Sequence, residues 1–292
     1  MKRFKHRVEY ALVAALDFLF YLFPAPIAFK IGERLGTLLS KIIVKRNALI
    51  LSNLERAFPE KSPDERRRIA AAVWRNLGRI AVEFIRMPEI LANPEKFPVH
   101  WDGAEHLERA LAEGKGVILL SAHFTNWEIT GSSIRERFGH FTAIARPMRN
   151  PFVENWVQSK RAAQGMKIIL HREAVRASLK WVRGKNIIGI LVDQNLYTGG
   201  EFVNFFGRPA ATTTLPALLH ARTGAPVLIT YTLREGAGFR IAVTEPVAAP
   251  KVNQEAELLR AHTQEISNRF ERIIRDNPCN WFWIHNRWKR KI

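Results

Sequence analysis

His123 and Glu128 stand five positions apart in the stretch Gly116-Val-Ile-Leu-Leu-Ser-Ala-His123-Phe-Thr-Asn-Trp-Glu128. An imidazole with a carboxylate is the pairing that proton transfer needs. The carboxylate accepts from one ring nitrogen, fixes the tautomer and stabilises the imidazolium, while the other nitrogen takes a proton from a hydroxyl. No Ser or Cys of the protein is required if the substrate hydroxyl is itself the attacker, as in a triad without its serine. Spacing alone fits equally well a helix-capping histidine beside a surface glutamate. Metal ligation is the weakest reading, because no third ligand is apparent, and no metal or cofactor is expected.

The surrounding elements decide where such a pair would sit. Val117-Ile118-Leu119-Leu120 is a short continuous apolar run of the kind found in a buried strand. His123 follows its end, and Asn126-Trp127-Glu128 opens the next helix. The carboxyl end of a strand is where α/β sheets bind ligands. Similar runs recur at 141–145, 167–170, 187–192, 227–233 and 239–243, with helical stretches at 151–164 and 172–182 between them. Upstream, Ser62-Pro63-Asp64-Glu65 is a capping box with Pro at the first helical position, opening a helix over 62–87. A last helix covers 254–275. The pattern predicts an α/β fold with a central, mostly parallel sheet wrapped by helices.

The chain has 292 residues, 47% of them hydrophobic, which excludes an intrinsically disordered protein. A single cysteine, Cys279, excludes an internal disulfide framework and a four-Cys zinc site. Lys and Arg exceed Asp and Glu by 45 − 27 = 18, so the partners are anionic: nucleic acid, a membrane surface or a phosphorylated substrate. The basic residues run through helical segments and end in Arg287, Lys289, Arg290 and Lys291. With no zinc-finger spacing, RNP-type motif or Gly-rich phosphate loop, nucleic acid is not expected. A basic nucleic-acid-binding protein stands as the non-enzyme alternative.

The N-terminus is basic (Lys2, Arg3, Lys5, Arg7) and leads into a mostly apolar run from Val8 to Phe23, interrupted by Glu9 and Asp17. A membrane span needs roughly 20 apolar residues, more than this run supplies. A second amphipathic segment repeats Ile27, Ile31, Leu35, Leu38, Leu39 and Ile42 at helical spacing. Residues 1–45 therefore read as anchoring helices on a phospholipid surface, single-pass or interfacial, and 46–292 as the α/β domain. Basic residues ahead of the anchor favour a cytoplasmic N-terminus.

Beyond spacing, Ser-Ala-His-Phe-Thr-Asn-Trp-Glu is similar to the His-x4-(Asp/Glu) signature of glycerolipid-type acyltransferases. Its Asn-Trp-Glu ending resembles the late lauroyl and myristoyl acyltransferases of lipid A biosynthesis in Gram-negative bacteria. Five further blocks agree in order. Arg146-Pro-Met-Arg-Asn-Pro151 resembles the family's Arg-Pro-x-x-Asn-Pro segment, and Asp193-Gln194 its Asp-Gln motif. Phe205-Phe-Gly-Arg-Pro-Ala210 followed by Thr212 resembles its Phe-Phe-Gly-x-Pro-Ala-x-Thr segment. Arg222-Thr-Gly-Ala-Pro-Val227 fits the next block, and Trp281-Phe-Trp-Ile-His-Asn-Arg-Trp288 the aromatic tail. The resemblance covers roughly residues 30–292. It departs at Asp17 in the anchor, at Pro278-Cys279-Asn280 where an acidic residue and Gln are expected, and at Asn286 where a basic residue is.

The resemblance implies that a fatty acyl chain passes from acyl carrier protein to a hydroxyl of a lipid A precursor, at the cytoplasmic face of the bacterial inner membrane. His123 is then the general base and Glu128 its partner, with Asn126, Arg146, Asn150, Asp193, Gln194 and Arg208 binding substrate. The bland readings are that Arg149 and Arg208 are solvated, that Asp193 only caps its loop, and that Phe205-Phe206-Gly207 is a packed turn. Within the same chemistry, lysophospholipid, glycerolipid and phosphoinositide mannoside acceptors are the alternatives. Phe58-Pro59-Glu60 mimics a glycerolipid phosphate loop but precedes His123, the wrong order.

Overall fold

A computed structural model describes residues 2–289; Arg290 and Lys291 of the basic C-terminus lie outside the described residues. The chain opens with α1 (Lys2–Tyr21), α2 (Ala25–Ile42), α3 (Val44–Ala57), α4 (Pro63–Ile85) and α5 (Met87–Ala92). Then come β1 (Val99–Asp102), α6 (Ala104–Ala112), β2 (Val117–Ser121), α7 (Trp127–Phe138), β3 (Phe141–Ala145) and α8 (Pro151–Ala163). β4 (Lys167–Leu170), α9 (Ala174–Arg183), β5 (Ile187–Leu191), β6 (Glu201–Phe205) and β7 (Arg208–Thr212) follow. The order closes with α10 (Leu215–Thr223), β8 (Val227–Glu235), β9 (Gly238–Val243) and α11 (Glu255–Asp276).

Seven strands form one sheet in the order β1-β9-β8-β2-β5-β3-β4, in which only the β8–β9 pair is antiparallel. The fold is α/β, with a mostly parallel sheet flanked by helices. β2 is central and both of its faces are covered, leaving Val117 to Leu120 at 0–1% exposure, which is why it reads as an unbroken apolar run. β5 lies beside it in parallel, pairing Val117 with Ile187 and Ser121 with Leu191.

The periodic segments fold as their spacing predicts. Ser62 caps α4 by accepting from the Glu65 N–H at 3.2 Å, and Glu65 accepts from the Ser62 N–H at 2.8 Å. Short elements without a periodic signature, namely β1, α5, α6, α10 and the β6–β7 hairpin, carry no such mark in the sequence. In that hairpin Phe206 and Gly207 both adopt positive φ (54° and 71°), a two-residue turn whose twist suits the strands. Glu271 accepts the Phe206 N–H at 2.6 Å and Phe58 packs edge-on at 5.5 Å, holding a conformation that a phenylalanine rarely adopts.

Residues 2–45 are mostly helical and share a core with the rest of the molecule. Phe20, Ala28 and Phe29 pack with Val82, Ile85, Met87 and Phe97. α2 crosses α4 so closely that a Cβ built on Gly78 would lie 2.0 Å from the Gly32 carbonyl oxygen. Glycine at 32, 36 and 78 therefore sets that helix contact. Among the described residues, no helix is long and apolar enough to cross a membrane.

Candidate active site

The parallel register of β2 and β5 pairs Ser121 with Leu191 at the strand ends. Continued two positions past both ends, the same register brings His123 to Asp193. The His123 Nδ1–H donates to Asp193 Oδ1 at 2.8 Å, and the His123 backbone N–H donates to Oδ2 at 3.0 Å. The Trp281 indole N–H completes the set at 2.7 Å from Oδ2. Burial alone would raise the Asp193 pKa, but the facing His123 and these three donors outweigh it and bring it down to about 2. A carboxylate kept ionised against Nδ1 fixes the Nδ1–H tautomer, so Nε2 presents a lone pair. The ring is held between Trp127, at a centroid distance of 4.7 Å, and Phe282, at 5.5 Å.

Glu128 is not the carboxylate on the imidazole. Asn126 caps α7 by accepting from the Ile129 N–H at 3.3 Å, so the helix begins at Trp127 and turns Glu128 towards α8. There Arg161 holds it in a two-pronged ion pair at 3.0 and 2.5 Å, and the Trp127 indole N–H adds a third contact at 3.2 Å. Burial lowers the Arg161 pKa, but the Glu128 carboxylate raises it further, for a net rise. Glu128 thus sits in the site as half of a clamp.

Of three other residues read as substrate-binding, Asn126 and Asn150 are spent on structure and Arg208 lies away from the cavity. Asn126 is fully buried, and besides capping α7 it donates to the buried Glu83 carboxylate at 3.1 Å. Burial of Glu83 would raise its pKa, yet the guanidinium groups of Arg234 and Arg79 hold it below the ordinary value. Asn150 caps α8 and donates back to α1, to the His6 carbonyl and Glu9 Oε2, each at 2.8 Å. Arg208 is exposed at the start of β7, outside the cavity wall.

His123, Gln194, Glu128, Arg146 and Arg149 do line one cavity of about 780 Å³, a size suited to a small-molecule or lipid-chain ligand. From this polar end it runs between the sheet and α7 over Leu119, Ile134, Ala143, Ile168 and Met166. Glycines at 131 and 189 leave room for the Met166 and Phe141 side chains, which a Cβ would meet at 3.1 and 2.5 Å. Arg146 and Arg149 are exposed and form no ion pair with any described residue.

Sequence reasoning missed the C-terminal tail as a builder of the site. Asn280 accepts the Thr125 N–H at 2.8 Å and donates to its hydroxyl at 2.8 Å, holding Thr125 at a positive φ of 47° two residues from the base. The departure at Asn280 thus has a definite role. His285 Nε2 accepts the Asn195 N–H at 2.9 Å. Arg287, buried beneath, donates to the Ala211 carbonyl at 2.7 Å and to the Thr212 hydroxyl. Desolvation pushes the Arg287 pKa down to about 10 and that of His285 down to about 4. The clue was the density of Trp, His and Arg between 281 and 288.

A histidine held by a buried aspartate on the wall of a partly apolar cavity can take a proton from a hydroxyl that a ligand brings to it. A sequence model of bacterial lipid A biosynthesis acyltransferases matches residues 1–290, and the chain belongs to that family. It is 24% identical over 278 residues to the lipid A biosynthesis lauroyltransferase of Escherichia coli (strain K12), covering 92% of this chain and 87% of the relative. The E. coli lipid A biosynthesis palmitoleoyltransferase is 25% identical over 275 residues, with 92% and 87% covered. The phosphatidylinositol mannoside acyltransferase of Mycobacterium tuberculosis (strain ATCC 25618 / H37Rv) is 27% identical over 238 residues, covering 79% and 72%.

Proposed function

We propose that the protein transfers a fatty acyl chain from the thioester of acyl carrier protein to a hydroxyl of a lipid A precursor, at the cytoplasmic face of the bacterial inner membrane. The observation that carries this reading is the lone pair of His123 Nε2 at the mouth of an apolar cavity. Among the described residues, His123 has Asp193 and Gln194 as side-chain hydrogen-bond partners, and neither is a nucleophile. The attacking oxygen therefore comes from the acceptor.

In this mechanism the acyl chain lies along Leu119, Ile134 and Met166 with its thioester carbonyl beside His123. Nε2 takes the acceptor hydroxyl proton as the oxygen bonds to the carbonyl carbon. The imidazolium, stabilised by Asp193, then returns that proton to the sulfur as the carbon–sulfur bond breaks. Arg146 and Arg149, with no carboxylate to neutralise them, suit the phosphates of the acceptor. The charge excess of 45 − 27 = 18 suits an acidic carrier protein and an anionic lipid surface.

An interfacial seat is supported by the apolar residues that α1 and α2 leave exposed: Phe4, Val8, Leu12, Phe18, Leu38 and Ile42 are each 46–74% exposed. Lys and Arg flank them, the composition of a helix lying in the headgroup region. A phosphatidylinositol mannoside acceptor is the second reading, favoured by the mycobacterial relative. The lipid A relatives cover more of the chain, 92% against 79%, and so lead.

The test is acyl transfer by purified protein in detergent, followed by mass spectrometry. A Kdo-bearing tetraacylated precursor and a phosphatidylinositol mannoside would be offered with a panel of acyl-acyl carrier proteins. The reading expects one added acyl chain on the lipid A precursor, lost in His123→Ala. Acylation of the mannoside alone would move the acceptor to the second reading, and no product from either would sink both.

A further inference from the structure

The lone pair on His123 Nε2 is already occupied. The side-chain nitrogen of Gln194 lies 3.2 Å from it. Because Nδ1 gives its proton to Asp193, Nε2 can only accept, so Gln194 must face it with its NH2 end. Gln194 is exposed to the cavity, and its carboxamide makes no other hydrogen bond among the described residues. The flanking backbone is fixed, since Asp193 is bound to His123 and Arg287 Nη1 lies 3.5 Å from the Gln194 carbonyl oxygen. A tethered amide on a rigid base therefore sits where an acceptor hydroxyl must donate.

We infer that Gln194 is a stand-in for the acceptor hydroxyl, capping the base until an acceptor displaces it and so keeping a bound thioester from hydrolysis. The inference rests on the acyltransferase reading above. Transfer and hydrolysis differ only in whose O–H reaches Nε2. In transfer, the acceptor oxygen bonds to the carbonyl carbon, the carbon–sulfur bond breaks, and the hydroxyl proton passes through Nε2 to the departing sulfur. In hydrolysis, water supplies oxygen and proton, giving a free fatty acid and the same thiol.

A water molecule exchanges one hydrogen bond for another when it displaces the amide, and gains little. A lipid acceptor brings binding free energy from its phosphates and acyl chains, and can use part of it to move Gln194 aside. The choice between acceptor and water is thus made at one side chain, through contacts remote from the reacting atoms.

The experiment compares wild type with Gln194→Ala and Gln194→Asn, the latter keeping the carboxamide but withdrawing it by one methylene. Full-length protein in detergent receives lauroyl-acyl carrier protein or lauroyl-coenzyme A, with and without the Kdo-bearing tetraacylated precursor. Thiol release, free laurate and acylated product are measured, with thermal melting as a fold control. Wild type should release thiol mainly when acceptor is present. Both variants should release it without acceptor, raising the ratio of hydrolysis to transfer about tenfold, the effect of one net hydrogen bond. An unchanged ratio overturns the proposal. So does a proportional fall in both reactions, which would instead make Gln194 a donor to the developing oxyanion. A wild type that transfers from neither thioester removes the acyltransferase reading, and this inference with it.

Discussion

Replacing Asp193 with Asn tests the site most directly, because the geometry dictates which way the new amide turns. Oδ2 receives two donors, the His123 backbone N–H and the Trp281 indole N–H, while Oδ1 receives only the ring Nδ1–H. Two fixed donors require the carbonyl oxygen of Asn at the Oδ2 position. Its NH2 then faces Nδ1, which can meet it only as an acceptor, so the ring proton moves to Nε2. In that tautomer the base has no lone pair for the acceptor. Where an aspartate orients a catalytic histidine, this exchange lowers kcat by about 10⁴-fold. At about 1.36 kcal/mol per decade, a loss of 10³- to 10⁴-fold corresponds to about 4–5.5 kcal/mol of barrier.

Stability changes less. The Asp193 carboxyl falls from 3.8 to about 2 in the folded protein, worth about 2 kcal/mol. Because this pKa is depressed, the stabilisation is full above pH 3.8 and fades as pH falls towards 2, so it is intact at assay pH. The assay is single-turnover acyl transfer with saturating donor and acceptor, beside a melting curve. Glu128→Gln is the control. It loosens the Arg161 clamp, costs about 1–2 kcal/mol of stability for a mostly buried pair, and leaves the tautomer alone. Full single-turnover rates in Asp193→Asn would refute the tautomer argument. Equal losses in the two variants would refute the separation of their roles.

Raising ionic strength should increase the apparent KM for acyl-acyl carrier protein with little change in kcat, because screening weakens encounter with a basic surface. Steady-state kinetics at low and high salt check this, and a flat KM contradicts it. Changing Leu12 and Phe18 to Glu should abolish flotation with vesicles of anionic phospholipid while leaving the melting temperature unchanged, since both side chains are exposed at 62% and 69%; retained flotation removes α1 from the membrane seat. His262 is buried without a partner for Nδ1, and desolvation with the neighbouring His220 lowers its pKa from 6.5 to about 4. Between those values the unfolded chain binds a proton that the folded one refuses, so stability falls as pH drops from 6.5 to about 4, by about 3 kcal/mol. Urea titrations across that range should show His262→Gln with a flatter dependence than wild type.

The centre of the sheet was legible because β2 and β5 are buried on both faces. Val117 to Leu120 is an unbroken apolar run for that reason, and Ile187 to Leu191 is one broken only by Gly189. His123 was legible too, by its place just past a strand. Its partner was not. Both His123 and Asp193 could be seen to end strands, yet nothing in either segment says that β5 inserts beside β2, ahead of β3 in space but after it in the chain. Without that crossover the near neighbour Glu128 is the obvious carboxylate, and only the register of two strands distant in sequence selects Asp193. The tail was illegible for a related reason: Asn280, Trp281 and Arg287 act on residues far from them along the chain.

The acidic residues of α1 look like defects in a membrane span when read along the sequence. In the fold they are its attachment points. Asp17 pairs with Lys160 at 2.8 Å, and Glu9 accepts from Asn150 at 2.8 Å, so both face the start and body of α8. The Arg86 guanidinium donates to the Phe20 carbonyl at the end of α1 and to the Phe23 carbonyl in the turn after it, at 2.6 Å each. A helix fastened along one side by charges and apolar along the other is built to lie in an interface. The helix it is fastened to, α8, also carries Arg161, whose clamp on Glu128 forms part of the cavity wall. The attachment of α1 and part of the cavity wall are therefore two sides of one helix, α8. Under the proposed function, with α1 lying in the bilayer surface, this arrangement lets a lipid acceptor present its hydroxyl to His123 while its chains remain in the membrane.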